Sequence, residues 1–192
     1  MATGTGAPAL RVRGLTKNYG DLKAVRGIDF DVAPGEIFAL IGPNGAGKTT
    51  TLRMVATILR PTSGEIVADG FDAVKDPARM RRIISYLPEE AGAYKNLRAI
   101  HYLKFVADIF FDDRERAARA VEVGREVSGL GDRLHDKLGS YSKGMTRKLL
   151  LARTVMTEPK LAILDEPTSG LDVINALELR ERIKKLGAGG MS

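Results

Sequence analysis

The segment EIFALIGPNGAGKTT, residues 36–50, constrains the fold more than any other part of the chain. An unbroken apolar run, Ile37 to Ile41, leads into three glycines and a proline, then a lysine and the threonines Thr49 to Thr51. A loop so poor in side chains adds nothing to a core, so its gain must lie in what its backbone can reach. The apolar run predicts a strand buried on both faces, the kind that parallel sheets use. From Lys48 to about Leu59 the pattern predicts a helix, stopped by Pro61. Strand, glycine loop and helix in that order call for an α/β architecture.

The loop itself, GPNGAGKT at Gly42–Thr49, satisfies G-x-x-x-x-G-K-[ST] in full and in the required context. Glycine lets the backbone of Gly42, Pro43, Asn44, Gly45, Ala46 and Gly47 curl so that N–H groups point inward at phosphate oxygens. The helix that follows, through Lys48, Thr49 and Thr50, adds its positive N-terminal end. Lys48 is expected to reach the β- and γ-phosphates, and the Thr49 hydroxyl to hold Mg²⁺. A second apolar run, LAILDEP, carries Asp165 and Glu166 at the C-terminal end of a predicted buried strand, where ligands bind in open α/β sheets. Asp165 is the expected support for Mg²⁺. Glu166 is the expected group that orients or deprotonates an attacking water, so that Glu166 and Lys48 are the candidate catalytic residues.

The remaining elements fit round this site. Leu10 to Val32 predicts short strands and a turn at NYGDLK, with Tyr19 in that turn and period-2 alternation in IDFDV. PGE at 34–36 is a turn, SGEIVADG a strand and hairpin, and RIISYLP a strand ending at Pro88. Asn96 to Val127 predicts helix, with Ile100, Leu103, Ala107 and Phe110 on one face. Ser142 to about Thr157 predicts another, with Met145, Leu149, Ala152 and Met156 aligned, and Val173 to Leu186 a last one. The expected whole is a single domain over 1–192: a parallel core sheet, an N-terminal antiparallel β subdomain and a helical subdomain at approximately 90–157. Residues up to about Ala9 read as a small-residue tail.

Composition removes several functions. The net charge of +6 raises nucleic acid as a partner, but the basic residues sit in mixed-sign clusters such as RERAAR and LRERIKK, and aromatics make up 6% with no tryptophan. Little is left on which bases could stack, so no nucleic-acid partner is expected. No run approaches the ~18 apolar residues of a membrane span, and MATGTGAPALRVRG lacks the basic start and apolar stretch of a secretory signal. The absence of cysteine excludes disulfides and thiolate metal sites.

YSKGM at 141–145 narrows the class. By itself a serine at a helix start is a good N-cap. In order with the phosphate loop, LAILDE and SGLD at 169–172, it resembles the nucleotide-binding domain of ABC transporters, and the resemblance covers nearly the whole chain. YSKGM is similar to that family's signature LSGGQ. Ser142 and Gly144 are retained; Tyr, Lys and Met at the other places are departures associated with exporter-type members. SGLD matches the D-loop, ending at Asp172, and Tyr19 falls where the family places a ring against adenine. The resemblance implies an ATPase that works as a head-to-tail dimer with a second nucleotide-binding subunit, a copy or a paralogue. Each ATP would lie between one phosphate loop and the partner's Ser142 and Gly144. It also implies transmembrane permease subunits, reached through Glu89 and the helical insert, and a peripheral place on the cytoplasmic face of the membrane.

Two departures matter. Where the family has a Mg²⁺-contacting glutamine after the ISYLP strand, this chain has Glu89 and Glu90, so a carboxylate at Glu89 is the expected metal contact. The family's last core strand ends in a histidine that contacts the γ-phosphate, whereas His101 and His135 both precede the signature helix. The expectation is therefore a C-terminally truncated domain. Two rival readings follow: an ATP-holding module without turnover of its own, or a soluble ABC-type ATPase acting on DNA or ribosomes. The second is disfavoured, because Lys48 and Ser142 are close in sequence with no sustained heptads between them and the chain has one such domain. Switch GTPases are disfavoured by the lack of an N-K-x-D segment.

Overall fold

The computed structural model describes residues 7–92 and 94–192; most of the small-residue tail expected at the N-terminus lies outside them. The chain divides into two compact units. One comprises residues up to 86 with 160–163 and 186–192, the other 87–159 with 164–185.

In the first unit, β1 (Leu10–Tyr19) and β2 (Leu22–Val32) form an antiparallel hairpin closed by Gly20 and Asp21. With β3 (Ser63–Ala68) and β4 (Phe71–Asp72) they make a four-stranded sheet of order β2-β1-β3-β4, antiparallel throughout. Alternation sets the register. Leu10 and Val12 turn inward, while Arg11 and Arg13 face out, where Arg13 meets Asp31 at 2.5 Å. Against the inward face pack Met54 and Val55 of α1 (Lys48–Val55), and Leu161 and Ile163 of β6 (Leu161–Leu164). A short helix, α2 (Pro77–Ile83), begins with proline at its first position and leads directly into β5 (Ile84–Leu87). β5 and β6 form a separate two-stranded sheet. The Lys160 N–H donates to the Ile83 carbonyl and the Asp165 N–H to the Leu87 carbonyl, so the pairing advances the same way along both strands and is parallel.

Two expectations in this unit are corrected. Residues 37–41 form no strand, and Ile37, Phe38 and Ile41 are 52%, 41% and 90% exposed. An apolar run becomes a strand only where a neighbour takes its N–H and C=O groups, and among the described residues no strand pairs with this segment. Phe38 is covered instead on one side, by stacking on Phe30 at 4.9 Å. The helix after the phosphate loop ends at Val55, not near Leu59. Thr57 takes a left-handed backbone with φ 59°, so the chain leaves the helix four residues before Pro61 can act.

The second unit is helical: α3 (Ala99–Phe110), α4 (Arg114–Ser128), α5 (Lys143–Val155) and most of α6 (Val173–Ala188). The helical region expected over 96–127 holds two helices, α3 and α4. Asp113 caps α4, its carboxylate accepting the N–H groups of Glu115 at 2.7 Å and Arg116 at 3.0 Å, which breaks the run. Ile100, Leu103 and Ala107 are buried as the periodicity requires, but Phe110 at the C-terminal end of α3 is 53% exposed. Leu149 and Ala152 of α5, and Met156 just after it, are buried. Arg147, Leu150, Leu151 and Thr154 are buried as well, so this helix is enclosed over more than the one face expected.

Candidate functional site

Residues 42–50 are shaped by two contacts of the first unit. Gly47 begins α1 in a left-handed conformation, φ 84°, and a methyl group on it would run into the Ala24 carbonyl and lie 3.0 Å from Val25 Cγ2. The loop is thus laid directly on β2, a closeness that only glycine allows. Helix bonding starts at once, the Thr51 N–H donating to the Gly47 carbonyl at 2.8 Å. The Lys48 ammonium turns back over the loop and donates to the carbonyls of Gly42 at 2.8 Å and Pro43 at 3.0 Å. A cation held by neutral acceptors at the positive end of a helix attracts an anion and has no carboxylate in these bonds to satisfy it. Asn44, Gly45 and Ala46 form the exposed tip, and Lys48, Thr49 and Thr50 are half-buried.

Tyr19 is the last residue of β1; the turn belongs to Gly20 and Asp21, which corrects its expected place in the turn. Its ring is 50% exposed, with Lys17 Nζ 5.1 Å from its centroid. Beside it on the sheet a groove of about 550 Å³ is lined by Asn18, Lys23, Val25, Arg26 and Thr62 among others. Val25 therefore serves both the groove and the packing of Gly47.

In the second unit Asp165 is buried and fixed through its N–H, which donates to the Leu87 carbonyl at 2.8 Å. Glu166 follows with φ 43° and an exposed side chain. A left-handed glutamate costs about 1 kcal/mol or more and persists only where its surroundings fix it. What fixes it is Arg147 of α5, which sequence reasoning did not single out. Its guanidinium donates to the carbonyls of Asp165, Glu166 and Pro167 and to those of Pro88 and Glu89. Burial lowers its pKa from the ordinary value, against the pull of the Glu89 and Asp165 charges. The exposed Glu89 side chain accepts from the Ser169 hydroxyl at 3.5 Å.

At the start of α5 the Ser142 hydroxyl accepts the Met145 N–H at 3.2 Å, a true N-cap. Tyr141, in the place of the signature leucine, is anchored through its hydroxyl, which donates to the Arg133 carbonyl at 2.7 Å; burial pushes that phenol up to about 12. The residues of the SGLD turn lie against this helix start. A methyl group on Gly170 would collide with Lys143 Nζ, and one on Gly144 would press on Asn175. Asn175 in turn donates from Nδ2 to Asp172 Oδ2 at 2.6 Å, and its N–H to Asp172 Oδ1 at 3.0 Å. An ion pair of Lys148 with Glu178 ties α5 to α6. The second unit thus gathers Glu89, Asp165 and Glu166 round Arg147, and sets Gly144, two residues from Ser142, against Asn175. The first unit holds residues 42–50 and Tyr19.

The arginine had a signal in the sequence. Arg147, Leu150, Leu151 and Thr154 follow i, i+3, i+4, i+7, so the arginine heads a stripe of buried positions. Asn175 had only the capping spacing D-x-x-N after SGLD.

The sequence profile described as ABC transporter matches residues 25–169. The ABC transporter ATP-binding protein NatA of Bacillus subtilis is 37% identical over 166 residues, covering 86% of this chain and 68% of that protein. The linearmycin resistance ATP-binding protein LnrL of the same species is 36% identical over 184 residues, covering 95% of this chain and 59% of its own length. The daunorubicin resistance ATP-binding protein DrrA3 of Streptomyces coeruleorubidus is 37% identical over 182 residues, with 95% of this chain and 58% of that protein covered. A solved ATP-binding subunit of an ABC transporter superposes with a TM-score of 0.81 at 31% identity, over 95% of this chain and 76% of that one. Much of each curated relative therefore extends beyond what this chain spans.

Proposed function

We propose a function from the premise that this chain belongs to the ABC transporter family. It is the nucleotide-binding part of a transporter's ATPase subunit, and it drives transport by ATP-dependent pairing with a second such subunit. The observation that carries this is the phosphate loop: Lys48 poised over the Gly42 and Pro43 carbonyls at the head of α1, on a backbone that Gly47 lays against Val25.

In this reading the triphosphate of ATP lies along Gly42, Pro43, Asn44, Gly45, Ala46, Gly47, Lys48, Thr49 and Thr50. Lys48 then exchanges its carbonyl partners for the β- and γ-phosphates. The nucleoside end extends toward Tyr19 and the groove floored by Val25. Glu166 orients the attacking water, so the site works by positioning and charge stabilisation. Ser142 and Gly144 face the nucleotide held by the second subunit.

Mg²⁺, when bound, neutralises charge on the phosphate oxygens. Among the described residues no three acidic or imidazole side chains form a metal cage by themselves. Thr49 offers a hydroxyl and Asp165 and Glu89 carboxylates, the hard oxygen donors that magnesium takes, and these are the residues that would hold it.

The partners are transmembrane permease subunits and a second nucleotide-binding subunit, at the cytoplasmic face of the membrane. No helix among the described residues is long and apolar enough to cross a membrane. The exposed Tyr94, Phe105, Ile109 and Phe110 give the start of the helical region an apolar surface suited to a permease. The linearmycin and daunorubicin resistance named in LnrL and DrrA3 supports export as the direction of transport.

The test is ATP turnover by the full-length subunit. Turnover that Glu166→Gln lowers by about a hundredfold or more, with ATP affinity kept, is the expected result. Lys48→Ala should lose ATP affinity without losing the fold. Unchanged affinity in Lys48→Ala would sink the phosphate-loop assignment, and ATP binding without any turnover would leave only a binding module.

A further inference from the structure

Arg147 is 5% exposed, and its hydrogen bonds to the turns at 88–89 and 165–167 all end on backbone carbonyls. A guanidinium has five N–H donors in one rigid plane, and here they meet five carbonyls. Nε donates to Pro167 at 2.9 Å, Nη1 to Pro88 at 3.0 Å and Glu89 at 2.9 Å, and Nη2 to Asp165 at 3.2 Å and Glu166 at 2.8 Å. Those carbonyls come from two turns far apart in sequence. One carries Glu89; the other carries Glu166 at its left-handed φ of 43°. The helix that owns the arginine begins at Ser142, about one and a half turns away along α5.

We infer that Arg147 is a positioning residue, which fastens the Glu89 turn and the Asp165–Pro167 turn to the signature helix so that α5 sets the geometry of Glu166. Three consecutive carbonyls, one on each side of Glu166 and its own, are held by one planar group, and this over-determines the strained backbone. A shift of the helix start moves the guanidinium and, with it, both turns. The structural half of this inference rests on the hydrogen bonds alone. Its catalytic half rests on the reading of Glu166 as the water-orienting carboxylate.

Lysine keeps the charge but has three donors on a single nitrogen and cannot reproduce the fork. Arg147→Lys and Arg147→Met, in the full-length subunit, therefore probe the geometry of the bonds as well as their number. Amide hydrogen exchange should quicken in segments 89–92 and 166–170 together in Arg147→Lys, while the middle of α5 keeps its protection. Loosening of one turn alone, or of neither, overturns the inference. Where Arg147→Met fails to fold, Arg147→Lys gives the answer by itself.

Turnover supplies the second readout. In Arg147→Lys, kcat per ATP-binding site should fall about tenfold or more, as small misplacements of a catalytic group do, with KM changed less than about twofold. In a Glu166→Gln background the same substitution should cost nothing further, because both act through one group. An unchanged kcat, or losses that multiply, overturns the catalytic half. A parent that does not turn over ATP refutes the ATPase reading, and the exchange measurement then still decides whether Arg147 joins the two turns.

Discussion

A methyl group placed on Gly144 would lie 2.7 Å from Cγ of Asn175, and Asn175 is held there by its 2.6 Å bond to Asp172. The helix start and the SGLD turn are therefore packed to the limit of a glycine. Gly144→Ala must push Asn175 away and break that bond. The expected cost is about 1–3 kcal/mol, the range for overpacking. Asn175→Ala makes room, so the double variant should be more stable than the sum of the single losses predicts. Urea unfolding of the four proteins measures the coupling, and additive losses would show that the contact is slack.

Ser142 has a structural role and a proposed functional one, and they can be separated. Its hydroxyl caps α5 through the Met145 N–H at 3.2 Å, so Ser142→Ala should cost about 1 kcal/mol. Ser142→Asp caps at least as well, and its charge suits a helix N-terminus. It should keep thermal stability while repelling the phosphates of a partner's nucleotide. Loss of ATP-driven dimerisation at unchanged melting temperature is the expected pair of results; a normal dimer in Ser142→Asp would leave Ser142 a cap and nothing more.

What was legible in the sequence is what local chemistry decides. The phosphate loop and α1 start where the motif puts them, because glycine conformation and helix initiation act within a few residues. Alternation in IDFDV foretold the inward and outward faces of β2 for the same reason. The run Ile37–Ile41 was misjudged, since strand formation depends on a hydrogen-bonded neighbour that no local pattern reports. The break at Asp113 is written in the chain as an N-cap followed by Glu115 in the first turn, a signal that a reading of the region as helical does not use. Arg147 escaped because a charged residue is expected outside, and only the two distant turns explain why it is inside.

Gly47 offers a test of how closely the loop depends on β2. Gly47→Ala forces a side chain at φ 84° against the Ala24 carbonyl and Val25. The strain and overpacking together should destabilise by about 2 kcal/mol or more. Because the loop must then lift from β2, ATP affinity should fall further than the loss of folded protein explains. Equilibrium binding of a fluorescent ATP analogue, corrected for the folded fraction, separates the two effects. Affinity that tracks the folded fraction alone would mean the loop tolerates the shift.

Acid should weaken the helix starts in a definite window. Backbone N–H donation from Arg116 and then Glu115 holds Asp113 below its ordinary 3.8, and donation from Asn175, first backbone and then side chain, does the same for Asp172. A carboxylate whose folded pKa is depressed contributes stability that is complete above its unfolded pKa and is lost as pH falls through the folded one. Both groups therefore favour folding in full above 3.8 and lose that contribution progressively as pH falls from there through the depressed folded value. Asparagine caps a helix without titrating. Asp113→Asn should thus match the parent at the acid end, where Asp113 is protonated, and fall behind it as pH rises past the carboxylate range. Melting temperatures from about pH 2 to about pH 6 follow this directly. Curves that stay parallel over that range would mean that the charge on Asp113 adds nothing to the cap.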